Sequence, residues 1–323
     1  MRFPEHPSLF RKALLAPLSL AYGVAAAAHR ALWLKPRFEN RAGLPPLAVI
    51  GSLRAGGAGK TAVTIAAARA LRSEGFRVGI LVYAIRAGGG AEKKGIGRDI
   101  AHEIAPDSDW RASSDEAVLL ARESGARVFA TRDRERAWAT LGRTGDFDLL
   151  LSDDGLMDSR LKGAHRFVVA RAGENPGWTD LLPAGPYRLR ASFLARAHGV
   201  LREGADFTRT PAPPPEWRPE RDYWVLAGLG DPAGFARALR GAGVRVAGLS
   251  AGPDHGLPNL RRARAEAGRA GVDRFVCSAK DAVKLEGHPD RPPILMRIGE
   301  RIELSLEFRT TLRNLVPGGA PTS

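Results

Sequence analysis

The chemistry this chain can carry is concentrated first in Arg54-Ala55-Gly56-Gly57-Ala58-Gly59-Lys60-Thr61. Glycines at 56, 57 and 59 allow a turn so tight that successive N–H groups converge on an oxyanion at the positive end of a following helix. A lysine after such a turn reaches terminal nucleotide phosphates, and an adjacent hydroxyl ligates Mg²⁺. Lys60 and Thr61 fit those roles, so ATP and Mg²⁺ are the expected cofactors. Gly56, Gly57, Ala58, Gly59, Lys60 and Thr61 are the expected nucleotide contacts. The strict pattern has glycine where Arg54 stands. Context supplies what the pattern lacks: apolar Leu47-Ala48-Val49-Ile50-Gly51 enters as a strand, and Ala62 to Leu71 leaves as a helix. A plain strand-to-helix turn with Lys60 in solvent is the competing use of these residues.

The second loaded stretch, Phe147-Asp148-Leu149-Leu150-Leu151-Ser152-Asp153-Asp154-Gly155, is an apolar strand ending in two carboxylates. A Walker B element holds Mg²⁺ in this way, and active groups gather at the carboxyl ends of parallel strands. Thr61, Asp153 and Asp154 are therefore the expected metal set, with an Asp-Asp-Gly turn as the alternative. In Gly252-Pro253-Asp254-His255-Gly256 a histidine beside a carboxylate in a tight turn is an acid–base candidate. Ser113-Ser114-Asp115-Glu116 reads as a capped helix start, in which Asp115 could serve as a cap alone.

Positioning these groups requires a sheet. Gly75 to Tyr83 reads as a turn and a buried strand of a parallel sheet, Arg127 to Thr131 and His165 to Ala170 as further strands, and Ala87 to Gly97 as a surface loop, either a solvated connector or a substrate lid. Five prolines between Thr208 and Pro219 suit an extended linker. A second strand–helix pattern starts at Tyr223 to Pro232, and Arg274 to Lys284 closes its sheet with Lys280 at a strand end. The expected class is α/β: a P-loop NTPase-like parallel sheet with helices on both faces at 45–205, a linker at 206–220, and a smaller α/β domain at 221–323.

The 323 residues and 44% hydrophobic content allow two cores. A net charge of +14 points to an anionic partner, and no aromatic-plus-basic cluster favours nucleic acid. The lone Cys277 excludes internal disulfides and suits a reducing compartment. Residues 1–44 flank an uncharged stretch, Ala13 to Ala28, with basic residues. Pro17, Gly23 and sixteen-residue length disfavour a membrane span. An interfacial helix fits better: Leu9, Phe10, Leu14, Leu15, Leu18 and Trp33 dip into lipid while Arg11, Lys12 and Arg30 face anionic headgroups. A core-packing helix and a secretory signal are the alternatives.

In the order of these motifs the chain resembles the tetraacyldisaccharide 4'-kinases, which phosphorylate the lipid A precursor. The likeness is carried by Pro17 to Gly23, Gly56 to Thr61, Asp115-Glu116, Asp153 to Leu156, Leu182 to Pro186, Gly228 to Pro232, Pro253-Asp254-His255 and Lys280 to Lys284. The resemblance implies that Lys60 and Thr61 handle ATP and Mg²⁺, that Asp153 and Asp154 belong to the metal site, and that Asp115 and His255 form a catalytic dyad joined across a cleft. It further implies an acylated disaccharide substrate, a place on the cytoplasmic face of the inner membrane against its anionic surface, and no obligate protein partner. Departures fall at Ser52, Arg54, Val82 to Arg86, Met157-Asp158 and Gly256. Two rivals remain open on the sequence: a divergent P-loop paralogue acting on another amphiphile, and a catalytically weak nucleotide-binding protein at the membrane.

Overall fold

The computed structural model describes residues 9–32, 42–56, 58–84, 100–171, 173–253 and 256–318. They form two compact units: one takes the chain up to Thr208 and again from Glu303, and the other is Arg209–Ile302.

In the first unit, α1 (Leu9–Leu32) precedes β1 (Leu47–Gly51), α2 (Lys60–Ser73), β2 (Val78–Tyr83), β3 (His102–Ile104), α3 (Asp115–Ser124), β4 (Arg127–Thr131), α4 (Arg134–Gly142), β5 (Leu149–Asp153), β6 (His165–Ala170) and β7 (Gly199–Arg202). The seven strands lie in the order β3-β4-β2-β5-β1-β6-β7, and every pairing is parallel except β3 with β4. Strands β1 and β5 are buried along their whole length, as strands covered on both faces must be. Ala137, Trp138 and Leu141 of α4 pack with Leu47, Val49 and Leu81 on one face. Because side chains alternate, Ala48 and Ile50 point to the other face, and α2 and α3 pack together against the sheet.

The second unit contains β8 (Phe207–Ala212), β9 (Asp222–Ala227), α5 (Pro232–Gly241), β10 (Arg245–Ala251), α6 (Leu260–Arg269), β11 (Arg274–Ser278), α7 (Ala279–Leu285) and β12 (Ile294–Leu304), in a sheet ordered β10-β9-β11-β12-β8. Ala236 and Leu239 of α5 share a core with Tyr223, Val225 and Val276, whereas Leu260 and Ala263 of α6 share one with Leu226, Phe275 and Cys277. Helices thus cover both faces here as well. Helix α8 (Leu306–Arg313) returns to the first unit, where Phe308 meets Phe167 edge to face at 5.3 Å.

Two boundaries differ from the sequence expectation. Part of the expected linker at 206–220 is strand β8, whose edge position tolerates Pro211 because an outer strand need not donate every N–H. The segment from Glu303 belongs to the first unit and not to a C-terminal domain ending at 323.

Helix α1 is amphipathic in its packing. Lys12 Nζ contacts Asp180 Oδ1 at 2.6 Å, and the buried Ser19 hydroxyl donates to Leu181 O at 2.9 Å and accepts from Ala184 N at 3.1 Å. Gly23 lies against the Trp178 ring, where a Cβ would come within 2.6 Å. Lys12 is therefore engaged by Asp180, and Arg30, whose carbonyl accepts from Ser159, is half-buried; neither simply faces headgroups as the composition suggested. Phe10, Leu14, Leu18, Val24 and Leu32 stay 57–78% exposed. Trp33 is outside the described residues. Among the described residues no helix is long and apolar enough to cross a membrane.

Candidate active site

The parallel register sets Ile50 of β1 beside Asp153 of β5, and Asp154 N donates to Ile50 O at 2.9 Å. The loop leaving β1 and the acid pair ending β5 therefore emerge side by side at the carboxyl edge of the sheet. Gly56 and Gly59 have φ of 81° and 78°, a left-handed conformation that glycine adopts without steric cost. Gly59 caps α2 without a side-chain bond, so the first-turn N–H groups and the positive helix end can serve an anion. Gly57 is outside the described residues.

Lys60 Nζ lies 3.8 Å from Asp154 Oδ2, and Thr61 Oγ1 donates to Asp153 Oδ2 at 2.9 Å. Thr64, one turn further along α2, approaches Asp153 Oδ1 at 3.3 Å. Each expected nucleotide or metal residue among the described ones is thus gathered around this acid pair or lies in the loop that leads to it.

The two aspartates have opposite electrostatic fates. Burial and the nearby Glu116 carboxylate push the Asp153 carboxyl up to about 7, against the lowering pull of Lys60 and the Thr61 hydroxyl. Burial acts upward on Asp154 too, but Lys60, Arg188 and Arg134 outweigh it and hold that carboxyl well below the usual range. Asp154 is also the one described non-glycine residue with positive φ, at 64°. Its Oδ1 accepts from Gly155 N at 2.8 Å and its carbonyl accepts from Ser152 Oγ at 2.7 Å, local bonds that compensate this conformation.

Hard oxygen donors suit Mg²⁺, which binds through one or two carboxylates and completes its shell with water and substrate phosphate. The Thr61 hydroxyl beside Asp153 and Asp154 matches that chemistry.

Sequence reasoning missed two cations here. Arg188 Nη2 donates to Asp154 Oδ2 at 2.7 Å, and Arg134 Nη2 donates to Asp153 O at 3.2 Å with its guanidinium 5.4 Å from the Tyr83 ring. Arg188 had a readable signal, since it follows the rigid Leu182 to Pro186 loop. That loop braces the phosphate loop by Ala55 N to Pro186 O at 2.8 Å and Arg188 N to Leu53 O at 2.7 Å. Arg134 carried no local signal. Arg54, at the place of the missing glycine, is buried, 3.6 Å from Glu174 and 3.4 Å from the Tyr187 hydroxyl.

Asp115 is buried as the first residue of α3, with its Oδ1 accepting from Glu116 N at 3.0 Å. The cap is Ser114, whose Oγ accepts from Ala117 N at 3.0 Å, so Asp115 is not the cap residue. Asp254 and His255 are outside the described residues.

The model of the family described as tetraacyldisaccharide-1-P 4'-kinase matches residues 11–316. A tetraacyldisaccharide 4'-kinase of Alkalilimnicola ehrlichii is 34% identical over 96% of this chain and 97% of its own length. One from Acidovorax sp. (strain JS42) is 33% identical over 88% of this chain and 86% of its own. The crystal structure of LpxK from Aquifex aeolicus in complex with ATP superposes with a TM-score of 0.66, at 20% identity, over 94% of this chain and 99% of that one.

Proposed function

The chain belongs to the tetraacyldisaccharide-1-P 4'-kinase family, and from that membership and the loop-and-acid-pair geometry we infer that it transfers the γ-phosphate of ATP to the 4'-hydroxyl of a tetraacylated glucosamine disaccharide 1-phosphate. The observation that carries the assignment of residues is the convergence of Lys60, Thr61, Asp153 and Asp154 on one carboxyl edge. With residues 11–316 matched by this family, the two rival readings left open on the sequence are not favoured.

The loop 56–61 binds the phosphates of ATP through its N–H groups, and Lys60 stabilises charge on the γ-phosphoryl oxygens as it is transferred. Thr61, Asp153 and Asp154 would hold Mg²⁺, which supplies charge neutralisation on the phosphates when bound. His255 accepts the proton of the attacking 4'-hydroxyl, and Asp115 orients the imidazole and stabilises its cationic form. The exposed face of α1, with Phe10, Leu14 and Leu18, rests in the anionic surface of the inner membrane on its cytoplasmic side, where the lipid substrate lies.

A double-mutant cycle tests the dyad. Asp115→Ala and His255→Ala each lower turnover by about a hundredfold or more while ATP affinity holds, and the double variant is little worse than the poorer single one. Effects that multiply, or nucleotide binding lost in either single variant, would remove the dyad.

A further inference from the structure

In the second unit Lys284 is fully buried, with its Nζ 2.8 Å from Asp281 Oδ1 one turn back on α7. Two charges withdrawn from water gain little net stability, and such a pair persists only when every donor and acceptor is met. Here the bonds leave the helix. Lys284 Nζ donates to Gly256 O at 3.0 Å and approaches Gly228 O at 3.4 Å. Asp281 Oδ2 accepts from Gly228 N at 3.1 Å and from Ser278 Oγ at 2.9 Å. The pair thus ties together the backbone just after β9 and the backbone just after His255.

The same two backbones touch directly, because a Cβ on Gly228 would collide with the Gly256 carbonyl oxygen. On the other side of His255, Gly252 N donates to Ala227 O at 2.8 Å, and Gly256 N donates to Pro253 O at 3.0 Å. Gly252 and Gly256, which precede and follow Asp254-His255 in the sequence, are therefore both tied to the chain at the end of β9. A pair serving only to stabilise α7 would find its partners on α7.

We propose that Lys284, held by Asp281, is a positioning residue that fixes Gly256, the residue that follows His255 in the chain, and that turnover through His255 depends on this tether. The inference rests on the reading of His255 as the base. A misplacement of about 1 Å at a reacting group can cost on the order of a hundredfold in rate while ground-state binding is little changed.

The test uses the full chain with Lys284→Met and the charge-balanced Asp281→Asn/Lys284→Met variant, each alone and combined with His255→Ala. Thermal melting and ATP binding establish folding. The positioning role predicts that kcat falls by about tenfold or more with KM for ATP within about twofold, and that in the His255→Ala background the further loss is under about twofold. Wild-type kcat in a folded variant, or losses that multiply with His255→Ala, overturn the positioning role while His255→Ala alone still reports on the base. If His255→Ala by itself keeps activity within about threefold, the base assignment falls and the positioning role with it. Amide exchange in the wild-type protein needs no variant to fold. Gly252 and Gly256 should exchange as slowly as β9, and exchange at the rate of an open loop would contradict the tether.

Discussion

At Asp153 the proposed metal binding and folding stability pull in opposite directions. Its carboxyl ionises near 7 in the folded protein and near the ordinary carboxylate range in the unfolded chain. Between about pH 4 and 7 the unfolded state therefore releases this proton first, so the contribution of Asp153 to stability falls as pH rises through that window. Asp154 runs the other way: its lowered carboxyl favours the folded state above the unfolded carboxylate range, and that contribution is lost as pH falls. Asp153→Asn keeps an acceptor for Thr61 and removes the buried charge. Without nucleotide at pH 8 it should melt a few degrees higher than wild type, with a flatter dependence of Tm on pH, while phosphate transfer falls by about a hundredfold or more. A lower Tm at pH 8 would show that Asp153 is well compensated by its neighbours.

Among elements, α1 divides its surface between the protein and an exposed apolar face. Ser19 and Gly23 hold it to the 178–184 segment, and the same segment continues to Pro186 and Arg188, which brace the phosphate loop and Asp154. Each of Phe10, Leu14 and Leu18 would gain about 1.5–3 kcal/mol on full burial in lipid. Replacing all three by serine should lower sedimentation with anionic vesicles by at least about a hundredfold in partition coefficient, with Tm little changed because these side chains are exposed. Unchanged sedimentation would place the lipid contact elsewhere.

The legibility of elements followed their local pattern. β1, β5, α2 and the cap of α3 were readable because uniform apolar runs, a glycine turn and a serine before a helix each act within a few residues. β3, at three residues, carries too little pattern. α4 hid because it buries Arg134 and Glu135 in its first turn, charges that ordinarily mark a solvent face. β8 was obscured by its prolines; Arg188 was signalled only by the rigid Leu182 to Pro186 loop before it, and Arg134, the first residue of α4, by nothing local.

At the scale of the whole molecule, two α/β units each bury their own sheet, and the chain passes between them twice, once after Thr208 and once after Ile302. Which unit the segment beyond Glu303 joins is decided by packing such as Phe308 on Phe167, information absent from the segment itself. The proposed nucleotide and metal contacts Lys60, Thr61, Asp153 and Asp154 all lie in the first unit. The reading of His255 as the base comes from motif order and is a proposal. The most direct measurement is phosphate transfer from γ-labelled ATP to tetraacyldisaccharide 1-phosphate by the purified full chain in detergent micelles, with the product position read by phosphorus and proton NMR. The kinase account predicts a new phosphate monoester at the 4'-carbon, and turnover lowered by about a hundredfold or more in Lys60→Ala. Label released only as inorganic phosphate, or product formation in Lys60→Ala within about threefold of wild type, would contradict it.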